Sequence, residues 1–210
     1  MGFHDLPASI FLLIIKEYIA NPNDLKSIDI AFSDNMLRNY YLSIYNNTYM
    51  SCFESTSSFV HTFSSLQWII YRNIKLKDII VSSLSHKTLY VINKLPSLTN
   101  ITFEECHFFN DKCYLNHLDN QLETIVIRNS MISNNALKGL TKSCHHMSSI
   151  TLDFENCDEH DQYISDTGIY ELAKNCINLR RINTRCALHI SEGCVQHIRK
   201  SHNIEVYNCF

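Results

Sequence analysis

Apolar and polar positions recur with one pattern through the second half of the chain. Residues 132–150 read ISNNALKGLTKSCHHMSSI and align without a gap with residues 164–182, ISDTGIYELAKNCINLRRI. The shared frame opens on Ile-Ser and continues through Ala136/Gly168, Leu137/Ile169, Leu140/Leu172, Lys142/Lys174, Cys144/Cys176, Met147/Leu179 and Ile150/Ile182. A third copy, ISEGCVQHIRKSHNIEVY, starts at Ile190-Ser191 and is one residue short, which puts Ile198, Ser201, Ile204 and Tyr207 at the equivalent places.

Each copy carries two periods. Leu137 and Leu140, Ile169 and Leu172, and Val195 and Ile198 are three residues apart, the spacing of a short helix with one apolar face. Ser133, Ser165 and Ser191 stand where an N-cap belongs, because a hydroxyl can accept from the unpaired N–H groups of a first turn. After the helix the pattern changes to Leu-x-x-Ile-x-Leu, which predicts a strand with alternating faces.

The strand pattern extends upstream. Leu76-x-x-Ile79-x-Val81-x-x-Leu84, Leu98-x-x-Ile101-x-Phe103-x-x-Cys106 and Leu122-x-x-Ile125-x-Ile127-x-x-Ser130 precede Met147-x-x-Ile150-x-Leu152, Leu179-x-x-Ile182-x-Thr184 and Ile204-x-x-Tyr207-x-Cys209. Successive starts are 22, 24, 25, 32 and 25 residues apart, the long step holding the polar run Asp158-Glu-His-Asp-Gln-Tyr163. A strand and a helix at this period cannot bury their apolar faces alone and must stack on neighbours. The expected fold is α/β: a right-handed leucine-rich-repeat solenoid with about six strands in a parallel, curved sheet and helices on the convex side. An ordinary α/β domain whose units happen to align is the competing reading.

Composition narrows the function. Hydrophobic residues are 45% and charged residues 19%, with a net charge of −3. Non-specific phosphate binding needs clustered Lys and Arg, so nucleic acid is not an expected partner, and neither is an anionic membrane. The longest apolar run, Ile10 to Ile15, is too short to span a bilayer. Without a basic n-region at Met1-Gly-Phe-His-Asp, a cytoplasmic or nuclear protein is expected. Nine cysteines, an odd number, then read as free thiols rather than a disulfide framework.

The cysteines have a family likeness. Leu172-Ala-Lys-Asn-Cys-Ile-Asn-Leu179 resembles the helix end of the cysteine-containing leucine-rich repeats, and Cys106 and Cys157 resemble their strand ends. That subtype is typical of F-box/leucine-rich-repeat proteins, the substrate-selecting subunits of cullin–RING ubiquitin ligases. The N-terminal region resembles a divergent F-box: Leu6, Pro7, Ile10, Ile14, Tyr18, Ile19, Asp24 and Leu25 match its pattern. One extra residue lies between Ile14 and the Tyr18-Ile19 pair, Ser9 replaces the usual acid, and the late Trp is absent. The resemblance implies an adaptor in which these residues hold a Skp-type linker protein and the repeats hold an unidentified protein target. The alternative is a helical cap over the open end of the solenoid, in a binding scaffold with no ubiquitin role. The expected organisation is residues 1–50 F-box-like, 51–75 a linker and capping helix with Phe59, Phe63, Leu66, Trp68 and Ile69, and 76–210 repeats.

Chemistry offers less. Cys106-x6-Cys113-x3-His117 and Cys194-x2-His197-x4-His202 have loosely metal-like spacing, but neither follows the paired pattern of a zinc site. Cys106, Cys144 and Cys176 occupy repeat core positions, where a free cysteine acts as a small hydrophobe. The acidic stretch around Asp153, Glu155, Asp158, Glu159 and Asp161 lacks the glycine and spacing of a calcium loop. No phosphate-loop, nucleophile-elbow or dinucleotide motif is present. A non-enzymatic protein with no cofactor and no metal is expected.

The partner-binding face follows from strand alternation. Three outward rows are predicted: Asp78, Asn100, Thr124, Ser149, Arg181, Val206; Ile80, Thr102, Val126, Thr151, Asn183, Asn208; and Ser82, Glu104, Arg128, Asp153, Arg185, Phe210. Glu104, Arg128, Asp153, Arg181 and Arg185 are its candidate contact residues. In the third row Glu104, Arg128, Asp153 and Arg185 alternate in sign, so each faces an opposite charge across strands ~4.8 Å apart. A mixed-sign face suits a protein or peptide better than phosphate.

Overall fold

The computed structural model describes residues 54–55, 66–82, 86–95, 97–106, 115, 118, 121–155, 164–187 and 189–209, and Asn39. The F-box-like residues Leu6, Pro7, Ile10, Ile14, Tyr18, Ile19, Asp24 and Leu25 lie outside them, as do Phe59, Phe63, Cys113, His117 and Cys157.

Seven strands form one sheet in chain order: β1 Glu54–Ser55, β2 Asp78–Val81, β3 Asn100–Glu104, β4 Thr124–Arg128, β5 Ser149–Asp153, β6 Arg181–Arg185 and β7 Glu205–Cys209. Every neighbouring pair is parallel. Helices α1 His86–Ile92, α2 Asn134–Ser143, α3 Asp166–Asn175 and α4 Glu192–His202 alternate with the strands. Sequential order means that each strand–helix unit meets only its neighbours, the arrangement of a stacked repeat. The apolar strand pattern begins at Leu76, but the sheet begins one strand earlier. β1, in the stretch Glu54-Ser-Thr-Ser-Ser58, has no apolar alternation to reveal it.

Burial follows the repeat frame. β3, β4 and β5 each alternate part-exposed and buried residues, so one sheet face is covered and the other open. Leu76, Ile79, Val81, Leu98, Ile101, Phe103, Leu122, Ile125, Ile127, Met147, Ile150, Leu152, Leu179 and Ile182 lie in one core with Leu137, Leu140, Ile169, Leu172, Val195 and Ile198 from the helices. Leu66, Trp68 and Ile69, on a helical stretch over 66–71, join the same core. Thr184 takes the β6 place held elsewhere by Val81, Phe103, Ile127 and Leu152. It is fully buried, and its hydroxyl donates to the Tyr207 carbonyl at 3.3 Å, which satisfies the polar group there.

The helix starts are linked across units. Ser133 and Ser191 cap as the sequence predicts, their Oγ atoms accepting from Ala136 N at 3.2 Å and Cys194 N at 3.1 Å. Ser165 sits at the N-cap without that bond. Its Oγ instead accepts from Asn134 Nδ2 at 2.9 Å, and its N–H donates to Asn134 Oδ1 at 3.0 Å. Asp166 repeats the grip one unit on, accepting from Ser191 N at 2.7 Å and Ser191 Oγ at 2.6 Å.

The last strand corrects the expected register. Arg181 pairs with Glu205, Ile182 with Val206 and Asn183 with Tyr207. Val206 is therefore buried, at 2% exposure, and Tyr207 faces out at 51%. The register therefore puts Glu205, Tyr207 and Cys209 in the row positions where Val206, Asn208 and Phe210 are predicted, because a single-residue slip turns every side chain to the other face. Phe210 itself lies outside the described residues.

Candidate interaction face

The open face of the sheet carries the residues the sequence singles out. The register places Glu104 opposite Arg128, Arg128 opposite Asp153, and Asp153 opposite Arg185. Arg181 lies in the row that begins at Asp78 and Asn100 and continues through Thr124 and Ser149 to Glu205. Between these two rows runs a nearly neutral one: Ile80, Thr102, Val126, Thr151, Asn183 and Tyr207. All five candidate residues are thus brought to one face by period-two alternation.

Register alone does not make ion pairs. Arg185 reaches Asp153 at 3.9 Å and Glu155 at 2.9 Å. Among the described residues, no ion pair within 4.0 Å joins Arg128 to Glu104 or to Asp153. The alternating row is a ladder in position, and it closes electrostatically only between β5 and β6. Arg128 is exposed at the end of β4, the middle strand of the sheet.

A second cluster, at the C-terminal end, was not singled out by sequence. Arg181 Nε lies 3.5 Å from Glu205 Oε2, and the Tyr207 hydroxyl donates to the same carboxylate oxygen at 3.2 Å. The signal was present in Ile204-Glu-Val-Tyr207, which alternates apolar and polar with period two. The repeat frame, taken with one residue missing, overrode it. At the opposite end the Asn100 side-chain amide donates to the Asp78 carboxylate.

The strand exits fix the third row. Glu105, Asn129 and Cys186, each directly after a strand, have φ of 51°, 47° and 56°, a left-handed turn that ends the ladder abruptly. After β3, Cys106 N donates to Ser130 Oγ at 3.0 Å, and Cys106 Sγ donates to the Val81 carbonyl at 3.2 Å. Ser130 Oγ in turn donates to the Arg128 carbonyl at 2.7 Å. These bonds hold Glu104 and Arg128 on a fixed backbone. β5 leaves differently: Phe154 is buried and Glu155 swings out to meet Arg185.

Three of the described thiols are poor nucleophiles. Burial pushes Cys106 up to about 12, and Cys176 and Cys194 up to about 11, from an ordinary value of 9.0. A thiol that stays protonated at neutral pH neither attacks nor binds metal readily. Cys144 and Cys176 sit buried where their helices end, each donating its backbone N–H into the last turn, to Leu140 O at 2.9 Å and Leu172 O at 3.0 Å. Cys194 is buried while His197 is exposed, so the metal-like spacing in α4 does not converge. Among the described residues no three His, Cys, Asp or Glu side chains are placed to hold a metal ion. Nor is any described helix long and apolar enough to cross a membrane. Neither the protein-family models nor the curated proteins include a match to this chain.

Proposed function

We propose that this chain is a leucine-rich-repeat protein-interaction adaptor that holds a polypeptide target on the open face of its sheet. The observation that carries the reading is the face itself. Five strands of five residues and one of four run in unbroken register and present a near-neutral middle row flanked by charges of both signs. Such a surface offers hydrogen bonds and mixed charge along a line, which suits a polypeptide better than a phosphate chain. The left-handed strand exits and the buried repeat cysteines accord with the leucine-rich-repeat assignment.

The adaptor role in its full form rests on the resemblance of residues 6–25 to an F-box. In that form Leu6, Pro7, Ile10, Ile14, Tyr18, Ile19, Asp24 and Leu25 bind a Skp-type linker, and the target is presented to a cullin–RING ligase. The test is a pull-down from the native cell with the full chain and two variants. Leu6→Ala with Pro7→Ala should release the linker and keep the target. Thr151→Trp on the open face should release the target and keep the linker. Retention of the target by a folded Thr151→Trp variant would sink the open-face reading. Absence of a linker from the wild-type sample would leave a binding scaffold without a ubiquitin role.

A further inference from the structure

The net charge of −3 conceals a separation of charge between the two rims of the sheet. All strands are parallel, so the intervening helices all return in the opposite direction, and helix C-termini share one rim with strand N-termini. On that rim lie Lys94 after α1, Lys142 in the last turn of α2, Lys174 in the last turn of α3, Arg180 before β6 and Lys200 in the last turn of α4. All five are exposed. Of the described acids on this rim, Asp78 is bonded to Asn100, Glu205 is paired with Arg181 and Glu171 accepts from the Asn175 side chain at 3.0 Å, which leaves Glu123. The opposite rim carries Glu104, Glu105, Asp153, Glu155, Asp166 and Glu192 against Lys87, Arg128 and Arg185, the last engaged by Asp153 and Glu155.

Helix dipoles account for part of this. Cations in a last turn offset the negative helix end, and here the helices point the same way, so their dipoles add. That explains Lys142, Lys174 and Lys200. It does not explain Arg180, which lies beyond its helix and donates to the carbonyls of Ile177 and Leu179. It explains still less Ile177, which is 79% exposed in the turn between Lys174 and Arg180. The turn is held in place from the neighbouring unit, where Asn178 Nδ2 donates to the His145 carbonyl at 2.7 Å. An isoleucine fixed in water among exposed cations gains from being covered.

We propose that the basic rim around Ile177 docks an acidic polypeptide segment carrying an apolar residue. Carboxylates meet Lys142, Lys174, Arg180 and Lys200, and the apolar side chain covers Ile177. A phosphate chain would use the cations and leave the isoleucine wet. A membrane would need more apolar surface than one side chain offers. The site is separate from the open face, so its failure would leave the proposed target-binding role untouched.

The test uses the full chain and a fluorescein-labelled glutamate-rich peptide with a central leucine pair, beside an all-glutamate control. At low salt the leucine peptide should bind, and added salt should weaken it. Lys142→Glu with Lys174→Glu should cost about tenfold or more in affinity. Ile177→Ser should cost the leucine peptide about threefold and leave the control unchanged. Lys87→Glu, in the first turn of α1 at the opposite rim, should change neither. If circular dichroism shows that the double reversal is unfolded, Lys142→Gln with Lys174→Gln decides by the same loss. The proposal is overturned by no binding at low salt, by undiminished binding in the folded double variant, or by an unchanged leucine peptide in Ile177→Ser. It is also overturned if a single-stranded oligonucleotide or a phosphatidylserine vesicle binds the rim more tightly than the peptide.

Discussion

The unit that ends in β6 and the unit that ends in β7 start alike and finish differently. In the first, Cys176 closes α3, and residues 176–180 lead into the strand, with Leu179 buried three positions before Ile182. In the second, Asn203 takes a left-handed conformation, φ 54° and ψ 38°, and ends α4 at once. Only Asn203 and Ile204 then precede β7, and Ile204 is buried two positions before Val206. Both units bury an apolar residue ahead of the strand, but the shorter turn changes the step from three to two. The strand answers to which side chains the core can take, not to a repeat counted along the chain. Asparagine makes the compression possible, since it is among the few residues that enter the left-handed region readily.

The largest expected effect tests that difference on two adjacent residues. Val206→Asp places a carboxylate in the core and should destabilise by roughly 3 kcal/mol or more. Tyr207→Asp, next to it on the open face, should cost under about 1 kcal/mol. Urea denaturation of the two variants reads the order directly. The register expected from the repeat frame requires the reverse order, so Tyr207→Asp proving the more damaging would restore that register.

The comparison also separates what sequence reasoning reaches from what it does not. Burial at Ile101, Ile125, Ile150 and Ile182 was legible because strand alternation and the apolar requirement of the core write the same pattern. The positions of Glu104, Arg128, Asp153 and Arg185 on one face follow from it. Whether two such charges pair depends on side-chain reach and on competitors such as Glu155, which no periodicity encodes. β1 was hidden for another reason: a two-residue edge strand of Glu and Ser carries no hydrophobic signal. The swap at Ser165, whose hydroxyl serves Asn134 rather than its own helix, depends on a neighbouring unit 31 residues away.

Glycine gives the next contrast. A Cβ on residue 168 would overlap Asn134 Oδ1 and lie 2.9 Å from Leu137 Cδ1. Gly168→Ala gains helix propensity of up to about 1 kcal/mol. It must also displace Asn134, which breaks two bonds to Ser165 and strains Leu137. The net expectation is a loss of roughly 1–2 kcal/mol. Gly193 in α4 meets only Ser191 Oγ, at 3.8 Å, so Gly193→Ala should be neutral to stabilising by about 0.5 kcal/mol. In the Gly168→Ala background, Asn134→Ala should cost less than it does alone, a coupling that a double-mutant cycle measures.

Alkaline pH compares the buried thiols of the same two units. Unfolded, each thiol ionises near 9.0; folded, Cys176 and Cys194 hold their protons to about 11 and Cys106 to about 12. The folded state then binds more protons than the unfolded state above pH 9, so stability falls as pH rises. The contribution is full below the unfolded value and lost on passing through the folded one. Each thiol adds a slope of up to about 1.4 kcal/mol per pH unit within its window. Cys176→Ala and Cys194→Ala should flatten the alkaline decline equally. Cys106→Ala should act over a wider range, reaching the higher pH. Urea midpoints at several pH values between these limits measure the differences. Unequal slopes for Cys176→Ala and Cys194→Ala would show that the two helices shield their thiols differently.

The smallest effect concerns the charged row, where among the described residues one arginine is paired and its neighbour is not. Arg185 meets Asp153 and Glu155 on an exposed surface, and Arg185→Ala should cost about 0.2–1 kcal/mol, the worth of an exposed pair. Arg128→Ala breaks no ion pair among the described residues and should fall within about 0.5 kcal/mol of wild type. Charge reversal sharpens the contrast. Arg128→Glu sets an acid between Glu104 and Asp153, so three acids follow one another on β3, β4 and β5, and repulsion should lower stability modestly. Adding Asp153→Arg restores the central opposition but leaves the new acid beside Glu104 and the new base beside Arg185, so recovery should be partial. Target affinity, measured on the same variants once the target is captured, decides what the row does. If the row only balances charge along the sheet, affinity follows stability through the series. If Arg128 is held unpaired for the target, Arg128→Ala loses affinity at unchanged stability, while Arg185→Ala loses stability with little change in affinity. Arg128 is exposed and has no ion pair among the described residues, which makes the second pattern the expected one.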